Sequence, residues 1–190
     1  MRSRWLTLLL IVAAAAQAGS DDVERVAAFL ATLAPAPEGA IPFVERRMSA
    51  LLMEPIEVHG ELRIDRDGTI DKRIVSPTEE RVQITAHTLT LERQGKRRTL
   101  DLAGDARWQA FHAGITALMN RDPAALERVF TVMLDEDSHG WTLELRPRVS
   151  SGKNMVTLIS VSGTGATLLR LRFDQGAGEW QEMMFPQAGT

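Results

Sequence analysis

The stretch Ile56-Glu57-Val58-His59-Gly60-Glu61-Leu62-Arg63-Ile64 decides the fold. Apolar Ile56, Val58, Leu62 and Ile64 alternate with polar Glu57, His59, Glu61 and Arg63, and Gly60 falls on the apolar side. Successive side chains of a strand point to opposite faces. The segment therefore predicts a strand with one face toward a core and one toward water. Asp65-Arg66-Asp67-Gly68 follows, a turn with glycine where a positive φ is needed. Thr69–Ser76 reads as the return strand, so the pair predicts a hairpin.

Outward toward the C-terminus, three shorter strands are predicted at Arg81–Ala86, Thr88–Arg93 and Arg98–Leu102, with Gln94-Gly95-Lys96 turning the last two. A helix carrying Trp108, Phe111, Ile115 and Leu118 on one face interrupts the strands. A second helix starts at Asp122-Pro123, a cap followed by a proline at the first helical position, and runs toward Phe130. Strands resume at Thr131–Asp135, Gly140–Arg146, Met155–Ser162, Thr167–Phe173 and Glu179–Phe185.

Outward toward the N-terminus, Ile41–Met53 is a long mixed segment ended by Pro55. Before it, Ser20 is placed to cap a helix from Asp21 to Leu33. Asp21 and Asp22 favour its N-terminal dipole, and Val23, Val26, Phe29, Leu30 and Leu33 form one stripe. Pro35, Pro37 and Gly39 end it. Consecutive strands on short turns favour an antiparallel sheet. The expectation is an α+β fold: a curved, unclosed barrel of ten to eleven strands, whose helices cover its concave, apolar side.

Residues 1–18 read as a cleaved secretory signal. Arg2 and Arg4 are followed by an apolar run from Leu6 to Ala16 and by Ala16-Gln17-Ala18. The run is about half of the ~20 residues that span a bilayer, and no cysteine is present to carry a lipid anchor. Residues 19–190 then form a single exported domain. The absence of cysteine excludes disulfides, thiolate chemistry and cysteine metal sites. The net charge of −3, made more negative when Arg2 and Arg4 leave with the signal, argues against nucleic acid.

Several short motifs recur in one order: Phe43-Val44-Glu45-Arg46-Arg47, Gly60-Glu61-Leu62, Val75-Ser76-Pro77 and Thr88-Leu89-Thr90-Leu91. Trp141-Thr142-Leu143-Glu144-Leu145-Arg146-Pro147 and Ile159-Ser160-Val161-Ser162-Gly163 follow, with Met48-Ser49-Ala50-Leu51-Leu52 and Pro55 between the first two. In that order they resemble a divergent branch of the periplasmic lipoprotein carriers, the LolA-like family. The resemblance implies an unclosed barrel with a helical lid over an apolar cavity that shields the acyl chains of a lipoprotein or lipid. It implies no catalytic residue and no cofactor. It also implies an inner-membrane donor complex or exporter, an outer-membrane acceptor, and a monomer working in the periplasm of a Gram-negative bacterium. The main branch has a transfer arginine after the Gly-x-Leu strand. Arg66 matches it, although Arg66-Asp67-Gly68-Thr69 stands where that branch has Arg-Pro and an aromatic.

On this reading Phe43, Ile56, Val58, Leu62, Ile64, Leu89, Leu91, Trp141 and Leu143 are the candidate cavity lining, and Trp108, Phe111, Ile115 and Leu118 the lid. Alternation alone fits an ordinary core equally well. Met48, Met53, Met119, Met133, Met155, Met183 and Met184 suit a surface that accepts variable apolar ligands. His59, His87, His112 and His139 lack metal-ligand spacing, and the acidic clusters do not match a calcium loop. Two other classes stay open. One is an enzyme on the same fold, drawing on Glu45, Arg47 or Ser49 inside the apolar cavity; the other is a lipid- or protein-sensing module.

Overall fold

The structure, a computed structural model, describes residues 12–35, 39–148 and 156–186. It consists of α1 (Val12–Thr32), β1 (Ile41–Met48), β2 (Ile56–Ile64), β3 (Ile70–Ser76), β4 (Glu80–Ile84), β5 (Thr88–Arg93) and β6 (Lys96–Asp101). Then come α2 (Ala106–Met119), α3 (Pro123–Val129), β7 (Phe130–Asp137), β8 (Gly140–Pro147), β9 (Leu158–Thr164), β10 (Thr167–Gly176) and β11 (Glu179–Met184). The strands form one 11-stranded sheet in the order β6-β5-β4-β3-β2-β1-β11-β10-β9-β8-β7. Every pairing is antiparallel. The two edges, β6 and β7, do not pair, so the barrel stays open. In the chain α2 and α3 connect these same two edges.

Four sequence expectations shift. α1 does not begin at Asp21: the alanine-rich segment before it continues the helix back to Val12, which leaves Ser20 inside the helix. The first strand ends at Met48 instead of Met53, because its partners β2 and β11 give no pairing beyond that point. A two-residue turn joins β5 to β6, so Lys96 belongs to β6. Finally, β9 starts at Leu158; Met155 lies outside the described residues, as does most of the expected signal. The α3 start is as expected: Asp122 accepts a hydrogen bond from the Ala125 N–H at 2.8 Å, ahead of Pro123.

The interior has two unequal parts. On the β7–β9 side Val26, Phe29 and Leu30 of α1 pack with Ile115, Leu126, Phe130, Trp141, Leu143, Leu145 and Ile159. The Phe29 and Trp141 rings meet edge to face at 5.0 Å, and Trp141 Nε1 donates to the Gly165 carbonyl. A smaller cluster of Phe43, Val58, Leu62, Ile74 and Met183 lies under the middle strands, with Ile70, Leu171 and Phe173 joining both.

Candidate functional site

Register assigns each side chain to a face. On the outer half of the sheet the concave face carries three rows. Ile64, Ile70, Ile84, Leu89 and Leu100 form the row nearest the β2–β3 and β4–β5 turns. Leu62, Lys72, Val82, Leu91 and Arg98 form the next, and Ile74, Glu80, Arg93 and Lys96 the last. Among the described residues no helix fills the outermost part of this face as α1 fills the other side. Val82, Ile84, Leu89 and Leu91 are half-buried, and Leu100 is 58% exposed. The result is an apolar trough that opens toward β6.

A charged network forms the floor beside the trough. Glu45, 0% exposed, accepts from Arg47 Nε at 2.9 Å and is in direct contact with the Lys72 ammonium. Arg47 Nη1 lies 3.8 Å from Glu80, which also faces Arg93 at 3.9 Å. β1 and β4 would stand about 14 Å apart in a flat sheet. Their side chains meet because the sheet curls toward this face. Burial pushes the Lys72 ammonium below its ordinary pKa, against the pull of Glu45. The ammonium also sits 5.4 Å from the centre of the Phe43 ring. Gly60 makes room for that ring: a Cβ there would lie 2.9 Å from Phe43 Cζ and 2.2 Å from the Arg73 carbonyl oxygen.

α2 closes the turn end of the trough. Near its start Trp108 Nε1 donates to the Thr85 carbonyl at 3.2 Å and the Gln109 amide donates to the Ala86 carbonyl, so the β4–β5 turn holds it. Near its end the Asn120 amide donates to the Arg66 carbonyl at 3.2 Å. Gly68, at φ +81°, abuts the same helix; a Cβ would sit 2.3 Å from Thr116 Oγ1 and 2.9 Å from the buried His112 ring. Hairpin tips thus grip both ends of α2 by polar contacts, while Ile115 is buried and Phe111 and Leu118 are half-buried against the larger cluster.

The predicted site residues therefore separate into groups. Leu89 and Leu91 lie in the open trough. Phe43, Val58 and Leu62 lie in the smaller packed cluster with Ile64 against it, Trp141 and Leu143 are packed under α1, and Ile56 is 45% exposed at a strand end. Trp108, Phe111, Ile115 and Leu118 do share the inward side of α2. Arg66 is exposed, and only its carbonyl engages the helix. Of the three polar candidates on the first long segment, Glu45 and Arg47 face inward, and Ser49 lies beyond the strand. Lys72, Glu80 and Arg93 went unremarked in the sequence. Their signal was available: each sits at an apolar register of its strand, as in Ile70-x-Lys72-x-Ile74. Among the described residues no cluster of His, Asp or Glu could hold a metal ion, and no helix is long and apolar enough to cross a membrane.

A groove of about 780 Å³ opens on the opposite, polar face. Glu61, Asp71, Arg73, Arg81 and Glu92 line it, the β5–β6 tip from Arg93 to Arg97 borders it, and ion pairs such as Arg81–Asp71 at 2.6 Å join most of these charges. This is a solvated charge ladder. The apolar trough is the better candidate, because there adjoining apolar side chains on the inward face, Val82, Ile84, Leu89, Leu91 and Leu100, are only partly covered.

The architecture is an unclosed antiparallel half-barrel with a helix across an apolar concave face, and its sequence family places it among carrier-type folds. The sequence profile described as "Outer membrane lipoprotein carrier protein LolA-like" matches residues 13–190, and the chain belongs to that family. Among solved structures it is similar to the LolA superfamily protein NE2245 from Nitrosomonas europaea, at 8% identity and a TM-score of 0.43. That match covers 87% of this chain and 92% of the other. It is also similar to LprF from Mycobacterium bovis, at 10% identity and a TM-score of 0.32, covering 90% and 92%. No curated protein sequence matches it significantly.

Proposed function

We propose that the protein is a periplasmic carrier that takes acyl chains of a lipoprotein or lipid onto its concave face and delivers them toward the outer membrane. The observation that carries this reading is the half-covered trough of Val82, Ile84, Leu89, Leu91 and Leu100 beside a fully packed core. Each acyl CH₂ moved from water to such a surface contributes about 0.8 kcal/mol, so a trough that stays partly open holds a chain without trapping it. The protein works as a monomer between an inner-membrane donor, or exporter, and an outer-membrane acceptor. Leu51 and Met53, 95% and 98% exposed on the β1–β2 loop, offer an apolar tip for meeting a membrane or the acceptor.

The test is uptake of a fluorescent fatty acid by the purified protein, with an affinity on the order of micromolar. Leu91→Glu, on the open side, should weaken uptake at least tenfold with the fold intact. A folded wild type that takes up no acyl probe would sink the proposal. Export through a signal cleaved after Ala18 is part of the same proposal. Protein recovered from a periplasmic fraction should begin near Gly19, and an intact Met1 would refute it. Arg66, on the turn that grips α2, is assigned to cargo transfer: Arg66→Leu should slow hand-over to acceptor membranes while leaving binding unchanged.

A further inference from the structure

We infer that the trough is built for an anionic single-chain amphiphile, a long-chain carboxylate, with its tail under α2 and its head at the β5–β6 hairpin end; this rests on the acyl-carrier reading above. Polarity changes steadily along these strands. The row at the α2 end, Ile70, Ile84, Leu89 and Leu100, is wholly apolar. The middle row mixes Val82 and Leu91 with Lys72 and Arg98, and the far row carries Glu80, Arg93 and Lys96. Four residues along β5, from Leu89 to Arg93, cover about 13 Å.

Charge at the far end is one-sided. Glu45 and Glu80 are both engaged, Glu45 by Lys72 and Arg47 and Glu80 by Arg47 and Arg93. Arg98 and Lys96 are exposed and make no ion pair among the described residues. An acidic protein thus places unpaired cations at one end of its uncovered apolar face. The acyl groups of a lipoprotein, held as esters and an amide, carry no charge that would use them. An arginine fork matches the two oxygens of a carboxylate. Glu80, between Arg47 and Arg93, repels a phosphate dianion more strongly than a monoanion.

The experiment is displacement of a bound fluorescent acyl probe by hexadecanoic acid, by its methyl ester, by a palmitoyl lysophosphatidate and by a triacylated lipopeptide. The acid should compete at least tenfold better than the ester in the wild type. In the K96Q/R98Q variant, which removes the two unpaired cations and leaves the Glu45–Lys72 and Glu80–Arg93 pairs intact, that ratio should fall to near one. Arg146→Gln, on the polar face of β8, should keep the wild-type ratio. Equal competition by acid and ester overturns the head-group assignment and leaves the carrier reading standing. Lysophosphatidate competing better than the acid overturns the choice of carboxylate. If no acyl compound binds, lipopeptide included, the carrier reading falls and takes this inference with it.

Discussion

Glu45 and Lys72 are an expensive pair to bury, and their environment shows what makes it tolerable. The carboxylate meets two cations, and the ammonium rests over the Phe43 ring. Removing one member leaves the other charged and without its main partner. Lys72→Met should therefore lower stability by roughly 3 kcal/mol, the low end for a broken buried pair, since Arg47 still serves Glu45. The double change Glu45→Gln with Lys72→Met should recover most of that loss. Urea titration of the four proteins reads the coupling directly, and additive losses would refute it. Gly60→Ala belongs to the same locality. Its Cβ would meet the Arg73 carbonyl at 2.2 Å, a backbone atom that cannot swing away. A loss of roughly 1–3 kcal/mol is expected, measured by the same titration.

α2 is the element on which access depends. Its N-terminal part hangs from Thr85 and Ala86 and its C-terminal part from Arg66, with Ile115 and Ala117 buried between, whereas β2 is laddered by backbone hydrogen bonds to strands on both sides. Amide exchange in Asp105–Asn120 should be faster than in Ile56–Ile64 and should slow when an acyl ligand is bound. The chain has no cysteine, so an engineered pair is unambiguous. Arg66→Cys with Asn120→Cys should block uptake when oxidised and restore it when reduced; uptake indifferent to the crosslink would rule out opening of this helix. Gly68→Ala puts a side chain at φ +81° and against Thr116, so it should cost roughly 1–2 kcal/mol and raise exchange in α2.

At the scale of the whole molecule, the polar face sets the response to acid. Arg81 donates to both carboxyl oxygens of Asp71, at 2.9 and 2.6 Å, and these bonds hold the Asp71 carboxyl below its ordinary 3.8. The Thr69 N–H does the same for Asp67. A depressed folded value means that the unfolded chain takes up protons first. The contribution is present above pH 3.8 and is lost as the pH falls through the folded value. Asp71→Asn should lower stability by no more than about 1 kcal/mol at pH 7, because Arg81 is half exposed and screened. The variant's stability should then fall less steeply with acid below pH 3.8 than the wild type's; parallel curves would exclude the pair.

The sequence by itself determined that these segments are strands, which of them form hairpins, and which side chains share a face where the alternation is clean. Alternation such as Val58-x-Gly60-x-Leu62 is a local property of an extended chain, and the cap at Asp122-Pro123 is equally local. It also held the clue to the network, since Glu45 and Lys72 stand at inward registers. Only the tertiary structure decided which half of the apolar face is filled. Leu143 and Leu91 read alike in sequence, yet α1 covers the first and leaves the second half-open. Cover depends on where helices distant in sequence come to rest. It depends equally on the curl accumulated over eleven strands, which brings Arg47 within 3.8 Å of Glu80. Neither quantity belongs to any one segment, so no local pattern of residues can report it.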